Sequence, residues 1–207
     1  LARVSATQGQ DVTRVAVLAS GTGSNLQALL DHVHGRHGVE IVRVISDKPG
    51  ARALELAELA GVPSALFPIQ NFPDRASRDE AIAQQLRDDD VHLVVLAGYM
   101  AILSPAFIAA FFGRIVNVHP SLLPAFPGLD AQRQAFEAGV KVTGCTVHFV
   151  DELLDHGPVI LQREVAVIDG DTAATLAERI LECEHKLYVD AVKRIVSLSP
   201  TATHIKA

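Results

Sequence analysis

Several things are scarce in this chain. Only two cysteines occur in 207 residues, Cys145 and Cys183, in no CxxC arrangement. That excludes a disulfide framework and a thiolate metal knuckle, and fits a reducing cytoplasmic setting. Positive charge is short as well, with 18 Lys and Arg against 24 Asp and Glu, a formal net charge of −6 and a pI of 5.8. An extended nucleic-acid surface is therefore not expected. No apolar run approaches the roughly 20 residues of a membrane-spanning helix, and Leu1–Thr13 lacks the apolar core of a signal peptide. We expect no membrane partner and read residues 1–13 as a mobile leader. No stretch is low in complexity. With 49% apolar residues, the chain is globular and long enough for one large domain or two small ones.

What is present alternates. Arg14–Ala19 reads as a buried strand, followed at once by Ser20-Gly21-Thr22-Gly23-Ser24-Asn25 and then by Leu26, Leu29 and Leu30 at helical spacing. Strand, glycine turn and helix in this order aim free backbone N–H groups at an anion, and the helix dipole adds to the attraction. A dinucleotide fingerprint wants a third glycine where Leu26 stands, although Asp47, ending the strand Val39–Ser46, sits roughly where a ribose-binding acid belongs. A lone phosphate fits the loop better. Further along, the pattern predicts helices over Ala51–Ala60, Arg75–Asp88 and from the Ser104-Pro105 cap to Phe112, with strands at Ser64–Phe67, Val91–Ala97 and Ile115–Val118. Asp130 should cap a helix through Ala138. Strands Val142–Val150 and Val159–Val167 follow, and Asp171 should cap a helix to about Leu198. No linker interrupts the alternation. The expected fold is α/β: a single domain over 14–198 with a mostly parallel, doubly wound, Rossmann-like sheet flanked by helices, and a tail at 199–207.

The chemistry collects around Ile115-Val116-Asn117-Val118-His119-Pro120. Asn117 and His119 are two apart, so on a strand they project to one side. Pro120 ends the strand, which places an amide and an imidazole at a strand's carboxyl end, where open α/β sheets bind ligands. Asp155, in the polar loop Asp151–Pro158, is the third candidate. A metal site from His119, Asp155 and His156 matches no recognised zinc spacing. Gly21–Asn25 is not the G-x-S-x-G of a serine hydrolase. Cys145 and His148 point to opposite faces of their strand and form no thiol dyad. What remains is chemistry without a protein nucleophile. An amide and an imidazole would bind an oxyanion and a carboxylate would orient the imidazole, for acyl transfer to an amine or for hydrolysis. Glu184 and His185, in mid-helix, read from the residues alone as a solvated face.

Four stretches together resemble a known family: Ser20–Leu26, Leu96-Ala97-Gly98-Tyr99-Met100, Asn117–Pro124, and Gly144–Val150 with Leu154–Ile160. They are similar, in order and from Arg14 to about Val196, to the phosphoribosylglycinamide formyltransferases, folate-dependent enzymes of purine synthesis. The Asn/His/Asp set alone is shared with methionyl-tRNA formyltransferase and formyltetrahydrofolate deformylase. The glycine loop and the compact length point to the glycinamide enzymes, and nine residues after Leu198 leave no room for an added RNA-binding domain. The resemblance implies a formyltransferase-type fold and two small-molecule partners, glycinamide ribonucleotide and the co-substrate 10-formyltetrahydrofolate, with no metal. A homodimer is left open. It implies that Gly23, Ser24 and Asn25 hold the ribonucleotide phosphate and that Glu184 meets its ribose or glycyl part. Met100, Ala101, Ile102 and Leu103, with Asn117 and the loop from Asp151 to Asp155, would take the pterin, and Arg75 the glutamate tail. Asn117 and protonated His119 would stabilise the oxyanion while Asp155 keeps His119 charged and helps remove the amine proton. Residues 14–112 would then form the phosphate half and 113–198 the catalytic and folate half. Two positions depart from the family pattern: Ala101 replaces a usual arginine and Ala125 an often basic residue.

Overall fold

The computed structural model describes residues 12–198. The expected leader and tail fall outside these residues, except for Val12, which is exposed, and Thr13, the first residue of a strand. Seven strands, β1 (Thr13–Leu18), β2 (Val39–Ser46), β3 (Ser64–Leu66), β4 (Leu93–Leu96), β5 (Ile115–His119), β6 (Val142–Phe149) and β7 (Val159–Ala166), form one sheet in the order β3-β2-β1-β4-β5-β6-β7. The first five run parallel, and β6, antiparallel to both β5 and β7, is the one strand of the sheet that runs against the others. The sheet is thus mostly parallel and doubly wound, as the alternation predicts.

Six helices accompany it: α1 (Ser24–His32), α2 (Arg52–Leu59), α3 (Arg75–Asp88), α4 (Pro105–Ala110), α5 (Ala131–Glu137) and α6 (Ala173–Leu198). The two faces carry separate cores. On one, Leu26 and Leu29 of α1, Ala53 and Leu56 of α2 and Leu176, Ile180, Leu187 and Val192 of α6 pack on Val15, Val17, Val116, Val118, Cys145 and Val147. On the other, Ile82 and Leu86 of α3 and Phe107 and Ile108 of α4 pack on Ala16, Leu18, Val94, Leu96 and Ile115. The period-2 alternation of strand side chains thus assigns each residue to one core. The central strands read as continuous apolar runs because both faces are covered.

Three cap expectations resolve differently. Ser104 accepts from the N–H of Phe107 at 3.3 Å with Pro105 opening α4, as predicted. Asp130 precedes α5 but takes a left-handed conformation (φ 56°) with no side-chain cap bond. Asp171 is displaced from the cap of α6 by its own ion pair with Arg179 (2.6 Å), and Thr172 Oγ1 accepts from Thr175 N instead. No helix among the described residues is long and apolar enough to cross a membrane.

Candidate active site

The sheet order places the chemistry. β1 is flanked by β2 and β4, so the winding direction switches between β1 and β4, and a crevice opens outside their carboxyl ends. The loop after β1 and the end of β5 share that edge, two strands apart, roughly 10 Å at the usual strand spacing.

At the first position Gly23 carries φ +72°, and a Cβ there would lie 2.9 Å from Leu56 Cδ1 and 3.0 Å from Ala53 Cα, so only glycine lets α1 start against α2. No side chain caps α1 and no acid lies in its first turn, which leaves its leading N–H groups to an anion. Asn25, in that first turn, is buried and donates through Nδ2 to Glu184 Oε2 at 2.9 Å, while its Oδ1 has no partner. Glu184 is itself only 6% exposed, and burial pushes its carboxyl up to about 7 against the amide hydrogen bond, which favours the charged form. The solvated face read from the residues is therefore wrong for Glu184: α6 turns it inward, one turn before Tyr188, whose buried hydroxyl lies 3.0 Å from the carbonyls of both Leu96 and Val116. A groove of about 830 Å³ opens beside the loop, bordered by Thr22, Ser24, Arg52, His185 and Lys186.

Asp47 does not face a ribose. Ser20 Oγ donates to its Oδ1 at 2.5 Å and accepts from Met100 N at 2.8 Å, so the acid braces the Met100 loop against the glycine turn. Met100 and Ile102 stand exposed on that loop, Ala101 is half-buried and Leu103 belongs to the core. Its far end is held by a buried ion pair that the sequence did not announce: Arg78 to Asp79 at 2.6 Å, with Asp79 Oδ2 accepting from Ser104 N at 2.6 Å. Arg75, one turn earlier on α3, is exposed.

At the end of β5, Asn117 and His119 project from the same face as Ile115, as the spacing requires. That face is covered by α4 only as far as Ile115. Beyond it, loops replace the helix. Register pairs Asn117 with His148 and His119 with Thr146 across the antiparallel step. Thr146 holds the turn after β5, donating to Ser121 O (2.7 Å) and accepting from Leu123 N (3.1 Å). His119 is 4% exposed. Its Nε2 donates to Phe126 O at 2.8 Å and its Nδ1 lies 3.3 Å from Asp155 Oδ2. Both ring nitrogens thus face oxygen acceptors. Asp155 adopts φ +51° and is pinned by Gly128 N–H on Oδ2 at 2.8 Å. Gly157, two residues on, lies so close to Phe149 O that a Cβ would overlap it, which is how the loop reaches back over the sheet. Asp151 is occupied within this loop, accepting from Leu153 N at 3.0 Å and pairing with His156 at 3.0 Å, which holds its carboxyl below the usual range. His156 therefore turns away from His119 and Asp155, and no group of three or more potential metal ligands is found among the described residues.

His148 is the site residue the sequence reading set aside. It is 2% exposed, with Nε2 3.3 Å from Asn117 Nδ2 and 3.8 Å from Asp155 Oδ1. Only the strand-pairing register could have found it. The opposite face of β6 carries Cys145, whose Sγ lies 3.3 Å from Cys183 Sγ, both as free thiols.

A mostly parallel sheet thus carries an uncapped glycine turn at its switch point and an Asn–His–Asp cluster two strands away. The chain belongs to the formyl transferase family, whose model it matches over residues 13–192. It is 42% identical over 187 residues to the phosphoribosylglycinamide formyltransferase of Bacillus subtilis, covering 90% of this chain and 96% of that protein. It is 47% identical over 185 residues to the human trifunctional purine biosynthetic protein adenosine-3, covering 89% of this chain and 18% of that one. Among solved structures, glycinamide ribonucleotide transformylase 1 from Symbiobacterium toebii superposes with a TM-score of 0.88 at 49% identity, over 92% of this chain and 90% of that one.

Proposed function

We propose that this formyltransferase moves the formyl group of 10-formyltetrahydrofolate to the glycyl amine of glycinamide ribonucleotide, in purine biosynthesis. The observation that carries the proposal is the single edge holding both an uncapped glycine turn and the Asn117–His119–Asp155 cluster, two strands apart. The phosphate lies at Gly23, Ser24 and Asn25, and Glu184 meets the ribose or glycyl part. Met100, Ala101, Ile102 and Leu103 border the pterin, with Asn117 and the Asp151–Asp155 loop on its other side, and Arg75 takes the glutamate tail. Residues 14–112 bind the phosphate, and 113–198 carry the catalytic groups.

The amine nitrogen attacks the formyl carbon, the carbonyl oxygen becomes an oxyanion, and collapse breaks the bond to N10 of the folate. The amine gives up its proton towards Asp155 through water, and N10 leaves with a proton. Asn117 offers an amide N–H to the oxyanion. His119 reaches it by exchanging the Phe126 carbonyl for the substrate oxygen, one acceptor for another. Preorganised donors of this kind act where negative charge develops, in a site drier than bulk water. Asp155, beside Nδ1, holds the ring in its orientation.

The test is turnover of 10-formyltetrahydrofolate with and without glycinamide ribonucleotide. Loss of the formyl group should depend on the amine and leave formylated product. Formate release at the same rate without amine would make the chain a deformylase, and formylation of charged initiator tRNA would make the acceptor an RNA. Transfer of formyl to a tRNA needs a surface that neutralises many phosphates, which a net charge of −6 does not favour.

A further inference from the structure

We propose that His148 is a positioning residue that fixes which atom of the Asn117 amide faces the reacting carbonyl. The proposal rests on the reading of Asn117 as an oxyanion donor. Amide oxygen and nitrogen are nearly isosteric, and an asparagine free to turn over would present an acceptor to the oxyanion half the time. Something must break that symmetry, and the geometry around His148 does so.

His148 Nδ1 lies 2.9 Å from the carbonyl of Phe149. Two lone pairs do not approach so closely, so Nδ1 carries a proton. In the neutral ring Nε2 is then an acceptor. The neighbouring amide atom, 3.3 Å from Nε2, is therefore the NH2 of Asn117. One N–H is given to the imidazole, and the second stays on the same nitrogen for the oxyanion. An inverted amide would set its oxygen against the Nε2 lone pair. The ring is 2% exposed, and register sets it directly opposite Asn117. A second proton on His148 would turn Nε2 into a donor and undo the arrangement. Burial holds the ring's affinity for that proton down, against the pull of the Phe149 carbonyl, Asp155 and Asp151 and with the help of His119. The nearer charged group, Asp155 Oδ1, lies at 3.8 Å, too far for a hydrogen bond. His119 and His148 thus divide the work: one is set between two acceptors and the other is kept as an acceptor.

The experiment has two arms. Nitrogen-15 NMR of the intact protein at pH 8 should find His148 as the Nδ1–H tautomer, and the Nε2–H tautomer would overturn the proposal. The second arm is a double-mutant cycle. His148→Phe keeps a planar ring without an acceptor, and His148→Gln returns an oxygen near the Nε2 position. His148→Phe should lower kcat about 10–100-fold with both KM values changed less than about threefold, and His148→Gln should recover most of the loss. In the Asn117→Ala background the effect of His148→Phe on kcat should shrink to below about threefold, because the amide it orients is gone. A full loss in that background, or a His148→Gln variant as slow as His148→Phe while folded by circular dichroism, overturns the proposal and leaves the role of Asn117 intact. Wild-type kcat for Asn117→Ala alone would instead remove the oxyanion reading, and the proposal with it.

Discussion

Two asparagines stand at the two ends of the candidate site, and their surroundings differ. Asn25 gives its NH2 to a carboxylate, Glu184, and keeps a buried carbonyl oxygen without a partner. Asn117 gives one N–H to an imidazole and keeps the other N–H. The first pair joins a helix N-terminus to α6 and suits a ligand that is held; the second joins two strands and suits a charge that appears only during reaction. Burial acts on both partners by disfavouring their charged forms, raising Glu184 and lowering His148. The same physical cause thus yields a proton acceptor at one end and a fixed neutral ring at the other.

The contrast is open to breakage, and the largest effect should come at Asn117. Asn117→Ala should lower kcat on the order of 10²–10³ with little change in KM, the usual cost of one oxyanion donor. Asn25→Ala, measured beside it, should raise KM for the ribonucleotide with kcat nearly kept. Equal effects on kcat would erase the distinction. Next in size is Asp155→Asn, which preserves shape but removes the charge beside His119. A kcat loss of about 10²-fold is expected, in the range of acid–base contributions, and a chelator should leave the wild-type rate unchanged. A variant with full rate and reduced Tm would reduce Asp155 to a support for Gly128.

At the phosphate end, Gly23→Val meets Leu56 and Ala53 in a left-handed backbone. Isothermal titration should show ribonucleotide binding weakened by about tenfold or more, roughly 1.4 kcal/mol, with folate binding near wild type. Tight NAD binding by the native protein would revive the dinucleotide reading instead. The last effect concerns stability and leaves catalysis aside. Burial pushes the Glu184 carboxyl up to about 7 in the fold, against 4.5 ordinarily. A raised acid binds its proton more tightly when folded, so its contribution is fully present below pH 4.5 and is lost as pH rises to 7. Glu184→Gln should therefore stabilise the protein at pH 8 by on the order of 1–3 kcal/mol, at about 1.4 kcal/mol per unit, and hardly at all at pH 4. A gain independent of pH would contradict the buried-acid picture.

The alternation of strands and helices was legible because the central parallel strands are apolar and most helices carry an apolar stripe. The glycine turn and the Asn117–His119 spacing were legible because both are local. Relations across the sheet were not. His148 lies 31 residues from Asn117, and only the register of β5 on β6 brings them opposite. The Arg78–Asp79 pair sits on a helix whose sequence reads as polar, so nothing in its periodicity separates a buried pair from a solvated one. Glu184 misled by its residue type, since its position falls on the apolar stripe of α6, four residues after Ile180 and four before Tyr188. Asp130 and Asp171 are good cap residues by type, but a left-handed turn and an arginine partner claim them first.

The hand-over from helix to loop above β5 has a consequence for how this enzyme can change. Ile115 is sealed by α4, whereas Asn117 and His119 are covered by chain around Phe126–Gly128 and Asp151–Asp155, where Leu129, Leu153 and Leu154 are 80%, 61% and 69% exposed. Such side chains contribute little to the core, so substitutions at their tips should cost the fold within about 0.5 kcal/mol, as surface changes usually do. The strands that carry Asn117 and His119 and the loops that cover them should therefore be nearly independent in stability. Selection for a different ligand would find room in the cover, while Gly157 holds one loop against Phe149 of β6 and Gly128 ties the other to Asp155.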